Sequence, residues 1–396
     1  MNPQLKLLHP YPFEKLGELF ADIEPSSAHS PIALSIGEPK HPAPQFVLDT
    51  LASHLSSLSK YPSTRGSEAL RESIAKWLSR RFDLNAINPN TQILPVNGTR
   101  EALFSFAQAL ISAEQNASVL CPNPFYQIYE GAALLAGASP QFINCSEENR
   151  FLPDFDSVSP QQWQDCQLLY ICSPGNPSGA VLPLDTLQEL IQLAQQYDFV
   201  IASDECYSEI YFDEDDAPPG LLQACAALGN DSFERCVVFH SLSKRSNLPG
   251  LRSGFVAGDA DVLSQFLRYR TYHGCAMPVH HQMASIAAWS DEQHVAENRR
   301  RYREKFRAVR EILNPALPTQ LPDAGFYLWP ATPIADTDFA RALLADYNVT
   351  VLPGRYLARD TPQGNPGQGR IRMALVAEQA DCVEAAQRIV DCVRNL

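Results

Sequence analysis

Short apolar runs alternate with longer amphipathic segments along most of the chain. The runs are IALSIG at 32, QILPV at 92, SVLC at 118, QFINC at 141, QLLYIC at 167, FVIASDE at 199, CVVFHS at 236 and GFVAG at 254. Between them lie stretches of helical period, such as 182–196, where Leu187, Leu190, Ile191 and Leu193 are spaced for one buried face. This alternation predicts an α/β fold with a mainly parallel sheet covered by helices on both faces. GFVAG follows CVVFHS too closely for a helical crossover to be assured, which leaves an antiparallel orientation open.

The pattern changes after about residue 290. A charged helical segment, NRRRYREKFRAVREIL, is followed by short apolar runs and two further helical segments that extend to Leu396. This order predicts a smaller α+β domain. We expect an N-terminal arm that is also part of the small domain over 1–44, a large domain over 45–290, and a small C-terminal domain over 291–396.

Composition and charge exclude several classes of protein. The 396 residues carry a formal charge of -14, which disfavours nucleic acid or an anionic membrane as a partner. No apolar run approaches the roughly 18 residues of a membrane span. The ten cysteines form no CxxC pair, and the N-terminal residues resemble no signal peptide. We therefore expect a soluble cytoplasmic protein. His280 and His281 are adjacent and cannot chelate one ion as an i, i+4 pair would, so no metal is predicted.

Polar groups follow four of the predicted strands, at the sheet edge where ligands bind in open parallel sheets. These segments are Asn97–Arg100, Ser173–Gly179, Asp204–Tyr207 and Ser241–Lys244. Gly98 and Thr99 open a helix whose N-terminal N–H groups suit a phosphate, although helices commonly begin this way.

Lys244 stands out among the seven lysines because it follows an apolar strand and two serines. Lys6, Lys15, Lys76 and Lys305 have charged or polar sequence neighbours, and we expect them to be exposed to solvent. A lysine buried after an apolar strand loses its proton readily and forms a Schiff base with an aldehyde. The alternative is a lysine that extends from a strand end into solvent. Asp204 also follows an apolar strand. Its carboxylate could pair with a buried cation or could cap the N-terminus of a helix.

The ordered motifs NGTREAL, NPFY, NPSG, DECY and SLSKRSNLPGLRSG resemble the class I/II aminotransferases, which have the pyridoxal phosphate (PLP)-dependent transferase fold of type I. SIGEP, YPSTRG, AGFYLW and GRIRMAL extend the resemblance from about residue 30 to the C-terminus. It implies a seven-stranded, mainly parallel sheet, a smaller α+β domain, and pyridoxal 5'-phosphate as cofactor.

The resemblance also implies roles for individual residues. Lys244 would bind the cofactor and act as the base, and Asp204 would pair with its ring nitrogen. Asn176 and Tyr207 would donate to the ring oxygen, and Tyr126 would stack on the ring. The phosphate would be held by the residues Gly98, Thr99, Arg100, Ser241, Ser243 and Arg252.

Two further implications concern the dimer and the substrate. Tyr61 would reach the phosphate of the other subunit, so each site would span a homodimer interface. Arg372 would bind the substrate α-carboxylate, with Gly37 and Asn176 beside it; Arg370, two residues away, remains an alternative. A distal carboxylate would require another cation, and Arg355, Arg268 and Arg270 are candidates.

Most of the chain, including YHGCAMP and YLARDTPQGNPGQGRIRMALV, is similar to the bacterial N-succinyldiaminopimelate aminotransferases. The resemblance implies transfer of an amino group between glutamate and N-succinyl-2-amino-6-ketopimelate, in lysine biosynthesis. Other specificities, for N-acetylornithine, aspartate or aromatic substrates, and C–S lyase or decarboxylase chemistry remain alternatives. A non-catalytic regulator with the same fold is a further alternative. A regulator of the known fused type would carry a basic DNA-binding module before SIGEP.

Overall fold

A computed structural model describes residues 2–85, 87–113 and 116–396. The strands are β1 (Ile32–Ala33), β2 (Ile93–Val96), β3 (Ser118–Asn123), β4 (Ser139–Asn144), β5 (Cys166–Cys172), β6 (Val200–Asp204), β7 (Cys236–Ser241), β8 (Gly254–Gly258), β9 (Tyr327–Leu328), β10 (Val349–Thr350), β11 (Leu352–Pro353) and β12 (Ile371–Ala374). The helices are α1 (Pro12–Leu19), α2 (Gln45–Ser53), α3 (Glu68–Phe82), α4 (Thr99–Leu110), α5 (Ile128–Ala136), α6 (Pro160–Asp165), α7 (Leu184–Tyr197), α8 (Leu221–Ala227), α9 (Leu242–Arg245), α10 (Ala260–His273), α11 (Val279–Ser290), α12 (Gln293–Leu313), α13 (Asp336–Tyr347) and α14 (Gln379–Asn395).

A seven-stranded sheet in the order β2-β8-β7-β6-β5-β3-β4 forms the centre of the molecule. Its strands are parallel except β8, which is antiparallel to both β2 and β7. The prediction of a mainly parallel seven-stranded sheet with helices is confirmed. The short connection before GFVAG is explained by the reversed direction of β8.

Successive residues of a strand point to opposite faces of this sheet, so both faces carry apolar side chains. Helices cover both faces. Leu169 packs in one hydrophobic cluster with α3, α7, α8 and α11. Its neighbour Leu168 packs in the other cluster, with α4, α5 and α10. In α7 the buried positions are Leu187, Leu190 and Ile191 as predicted, but the fourth is Ala194, and Leu193 is only half-buried.

A second group of elements packs around its own core. It contains the parallel pair β1 and β10, the antiparallel sheet β11-β12-β9, and helices α12, α13 and α14. The IALSIG run therefore forms a strand outside the central sheet. The N-terminal strand and the C-terminal elements share this core, and the predicted domain boundaries at 44 and 290 remain a prediction.

Lys305 lies in a buried position, contrary to the expectation from its charged sequence neighbours. It is 1% exposed on α12, and its Nζ lies 3.0 Å from Nε2 of His41. Burial lowers the pKa of this lysine. None of the helices in the described ranges is long and apolar enough to cross a membrane.

Candidate active site

The carboxyl ends of β2, β5, β6 and β7 lie at one edge of the central sheet, where the elements of the second core cover them. The resulting cleft is lined by residues from both parts of the molecule. All the predicted site residues except Gly98 and Tyr61 line it. They are Gly37, Thr99, Arg100, Tyr126, Asn176, Asp204, Tyr207, Ser241, Ser243, Lys244, Arg252 and Arg372.

Lys244 lies on the short helix α9, directly after β7. Its Nζ donates a 2.5 Å hydrogen bond to the carbonyl oxygen of Gly37 and lies 5.3 Å from the centre of the Phe326 ring. Burial lowers the pKa of this amine from 10.5 to about 8, and the positive charge of Arg372 acts in the same direction. The amine is thus easily deprotonated, as a nucleophile or base requires.

Asp204 ends β6 and is 4% exposed. Oδ2 accepts a 2.7 Å hydrogen bond from the Tyr129 hydroxyl, and Oδ1 accepts one from the backbone N–H of Cys206. Burial raises the pKa of this carboxyl. Within the described residues it has no salt-bridge partner, so a buried acceptor is available to a cationic group in the cleft.

No role for Tyr129 follows from the sequence motifs. It lies in α5, three residues after Tyr126, and its phenol is fully buried. Its position one helical turn after an expected cofactor contact is a signal that could have indicated it.

A phosphate-sized anion has suitable donors at the start of α4. Gly98 adopts φ +87°, and a side-chain carbon there would overlap the guanidinium of Arg252. Glycine therefore allows that guanidinium to lie directly over the N-terminal turn of α4. Ser241 and Ser243 line the same region, with the Ser241 hydroxyl accepting from the Ser243 N–H at 3.1 Å. Helix N–H groups, hydroxyls and an arginine together suit an anion.

Arg372 and Arg370 have different environments although they are two residues apart. Arg372 donates to Asn176 Oδ1 at 3.0 Å and to the Ser35 carbonyl at 2.8 Å, and it lines the cleft. Arg370 is instead paired with Glu147 and donates to the Trp329 carbonyl. Geometry therefore favours Arg372 as the ligand-binding arginine.

Arg100 extends its side chain to the mouth of the cleft. Its Nε donates to the Tyr126 hydroxyl at 2.6 Å and its Nη2 to the Tyr11 hydroxyl at 3.1 Å. The motif around Arg100 indicates only a role near the phosphate, and no sequence pattern indicates the contact with Tyr11 of the N-terminal arm.

The three arginines suggested for a distal carboxylate do not line this cleft. Arg355 is paired with the buried carboxylate of Asp336, and Arg270 is buried with its Nη1 donating to both carboxylate oxygens of Glu101. Arg268 is exposed on α10. Tyr61 also lies outside the cleft of its own chain, with its side chain fully exposed.

The cleft carries an excess of positive charge in a protein of charge -14. Four cations line it, namely Arg100, Lys244, Arg252 and Arg372, against the carboxylates of Asp204 and Glu38. In the described part of the chain, none of these four cations forms an ion pair with a carboxylate. The cleft is therefore suited to a ligand with several anionic groups.

A family model, aminotransferase class I and II, matches residues 30–389. The chain belongs to this family. The class I/II aminotransferases use PLP, and this chain is a PLP-dependent aminotransferase. The resemblance inferred from the motifs is thus confirmed, together with the fold.

Three similar proteins span nearly the whole chain. LL-diaminopimelate aminotransferase of Nitratidesulfovibrio vulgaris Hildenborough is 31% identical over 98% of this chain and 97% of its own. An aminotransferase of Neisseria meningitidis has a crystal structure with 52% identity and a TM-score of 0.95, covering 99% of each chain. A probable N-succinyldiaminopimelate aminotransferase of Thermus thermophilus has 27% identity and a TM-score of 0.85, covering 96% of this chain and 100% of that one.

The cleft of this aminotransferase fits its cofactor. The amine of Lys244 has a lowered pKa and would suit the aldehyde of PLP. The buried carboxylate of Asp204, which has no cationic partner among the described residues, would suit the ring nitrogen, and the Gly98–Arg252 arrangement would suit the phosphate.

Proposed function

We propose that this aminotransferase moves an amino group between glutamate and a keto acid of the diaminopimelate series, with Lys244 as the cofactor-binding lysine and base. The observation that carries the proposal is the set of three arginines, Arg100, Arg252 and Arg372, which line one cleft and form no ion pair with a carboxylate of the described residues. They match the three anionic groups that a bound dicarboxylic amino acid and PLP bring together: the phosphate, the α-carboxylate and the distal carboxylate.

Bound PLP withdraws electrons from the α-carbon of an amino acid and so makes its proton removable. Lys244 would take that proton and return it on the cofactor side, for which a pKa of about 8 is well matched to neutral pH. Asp204 would accept a hydrogen bond from the protonated ring nitrogen. Tyr207 and Asn176 would donate to the ring oxygen, and Tyr126 would pack on the ring.

Arg372 would hold the α-carboxylate through its planar guanidinium. Its hydrogen bonds to Asn176 and Ser35 fix its orientation, and the backbone of Gly37 lies beside it in the cleft lining. Asn176 would thus serve both the cofactor and the substrate arginine.

Arg100 would bind the distal carboxylate. Two neutral tyrosine hydroxyls hold its guanidinium, so its charge remains available to a ligand. Arg355 and Arg270 are already neutralised by Asp336 and Glu101, which removes the reason to assign them this role.

N-succinyl-LL-2,6-diaminopimelate and its keto acid are the proposed amino-group partners of glutamate and 2-oxoglutarate. The motif resemblance and the similarity to the Thermus protein support this choice. A second candidate is the unsuccinylated LL-diaminopimelate, favoured by the 31% identity to the Nitratidesulfovibrio enzyme.

We also propose a homodimer with shared sites. Tyr61 is fully exposed, and Tyr272 is 88% exposed. Large aromatic side chains in contact with water are typical of a surface that a partner covers. Tyr61 would then contact the phosphate in the other subunit's cleft.

A substrate panel tests the proposed specificity. Holoenzyme would be assayed for 2-oxoglutarate-dependent deamination of N-succinyl-LL-diaminopimelate, LL-diaminopimelate, N-acetylornithine, aspartate and phenylalanine. The highest kcat/KM should belong to the succinylated compound. A preference for LL-diaminopimelate assigns the second candidate, and a preference for one of the other three contradicts both.

A further inference from the structure

Tyr327 lies in the AGFYLW motif, to which the sequence assigns no role in the site, and it contacts three of the groups to which roles are proposed. Its hydroxyl oxygen lies 3.0 Å from that of Tyr207, and its ring lies 4.5 Å beneath the guanidinium of Arg372. A side-chain carbon at Gly37 would overlap the Tyr327 hydroxyl. Both tyrosines are buried and line the cleft.

We infer that Tyr327 is a positioning residue with two separate parts: its hydroxyl sets the donor direction of Tyr207, and its ring holds Arg372. This inference rests on the proposed roles of Tyr207 toward the cofactor oxygen and of Arg372 toward the substrate carboxylate.

The direction of the hydrogen bond between the Tyr207 and Tyr327 hydroxyls follows from the single proton that each hydroxyl carries. A tyrosine hydroxyl has one proton to donate and oxygen lone pairs that accept. When Tyr207 gives its proton to an acceptor in the cleft, its oxygen must accept from Tyr327. The two hydroxyls then form a chain in which each bond polarises and strengthens the next. Burial raises the pKa of both phenols, which keeps both protons in place near neutral pH.

The ring acts on a different group. A guanidinium over an aromatic face is attracted electrostatically by the electrons of the ring. Together with Asn176 and Ser35, the Tyr327 ring fixes the plane of Arg372 before a substrate arrives. The close approach of the hydroxyl to Gly37 explains why residue 37 has no side chain, and the Gly37 carbonyl in turn accepts from Lys244.

Two substitutions separate the hydroxyl from the ring. Tyr327→Phe removes only the hydroxyl, and Tyr327→Leu removes both parts. Tyr302→Phe is the matched control, because Tyr302 is fully buried in the same core and its hydroxyl has no hydrogen-bond partner among the described residues. The readouts are the pH midpoint of the visible absorbance change of substrate-free holoenzyme and the KM for glutamate.

A hydrogen bond donated to the ring oxygen of PLP lowers the pH midpoint of the absorbance change, so Tyr207→Phe should raise this midpoint. Tyr327→Phe should raise it in the same direction by a smaller amount, about 0.3–1 pH unit, with KM within about twofold of wild type. Tyr327→Leu should also raise KM, by roughly 3- to 30-fold. Tyr302→Phe should change neither quantity.

A double variant, Tyr207→Phe with Tyr327→Phe, should have the midpoint of Tyr207→Phe alone, because the second hydroxyl acts through the first. An unchanged midpoint in Tyr327→Phe, or additive shifts in the double variant, would overturn the inference. A Tyr207→Phe variant with a wild-type midpoint would remove the proposed role of Tyr207 itself, and with it the chain.

Discussion

The hydroxyl of Tyr129 donates a 2.7 Å hydrogen bond to Oδ2 of Asp204, a buried residue of the cleft lining. The ring of Tyr129 stacks on that of Tyr170 at 4.6 Å, which fixes the direction of the donor. Asp204 therefore keeps a fixed orientation although no cation among the described residues is paired with it. Its carboxylate is oriented by a neutral partner, so its charge would be available for the proposed contact with the ring nitrogen of PLP.

Tyr129→Phe is expected to weaken cofactor binding. Loss of a hydrogen bond to a charged group costs about 1.5–3 kcal/mol, so the dissociation constant of PLP should rise roughly 10- to 100-fold. The measurement is fluorescence titration of the apoenzyme. Tyr170→Phe is the control, because the Tyr170 hydroxyl donates to the Leu103 carbonyl and not to Asp204. Equal effects of the two substitutions would indicate a general loss of packing.

Arg100→Met should discriminate between substrates with one and with two carboxylates. Methionine keeps the backbone N–H near the phosphate and an unbranched stem but removes the charge. We expect KM for glutamate and for the diaminopimelate compound to rise roughly 10- to 100-fold, while KM for alanine stays the same. Arg268→Met on the exposed face of α10 is the control. A proportional loss with alanine would exclude Arg100 as the distal-carboxylate ligand.

Tyr61→Phe should weaken cofactor retention without dissociating the subunits. Sedimentation should give about twice the chain mass of 43.9 kDa for both wild type and variant. PLP should be lost faster on dialysis from Tyr61→Phe but not from Tyr272→Phe, the other highly exposed tyrosine. A monomer with full activity would contradict the shared-site proposal.

The buried amine of Lys244 makes the stability of the apoenzyme depend on pH. Its pKa is about 8 in the folded chain and 10.5 when unperturbed, so between these values the unfolded chain binds more protons. Raising the pH through this window therefore stabilises wild type relative to Lys244→Met. Urea unfolding of both apoproteins at pH 7 and pH 9.5 measures the difference. A difference that stays constant or falls with pH would show that the amine is not perturbed by burial.

The sequence was sufficient to predict the central sheet and the residues at its carboxyl edge. Both depend on local patterns: apolar runs define the strands, and Lys244 and Asp204 follow directly after two of them. The geometry of parallel strands then brings these ends together. Because β8 is antiparallel to β7, a short connection between the two strands is sufficient. The short segment between CVVFHS and GFVAG already left this orientation open.

Residues that act through distant partners were not predictable in this way. Tyr327 meets Tyr207 across 120 positions of the chain, and Arg100 meets Tyr11 across 89. Such contacts depend on how distant parts of the chain pack against each other. The hydrophobic periodicity of the sequence does not specify that packing. The burial of Lys305 was different, since Tyr302, Phe306 and Val309 place it on the buried face of α12 by helical spacing. Its charged neighbours along the chain obscured that signal.

We propose that Lys244, and no other lysine of the chain, holds PLP. Borohydride reduction of the holoenzyme followed by peptide mass mapping tests it directly, because reduction makes the carbon–nitrogen link permanent. The phosphopyridoxyl mass should appear on the peptide that contains Lys244, and Lys244→Ala should lose both that adduct and turnover. An adduct on Lys40, Lys60 or Lys305, or normal activity in Lys244→Ala, would contradict the assignment.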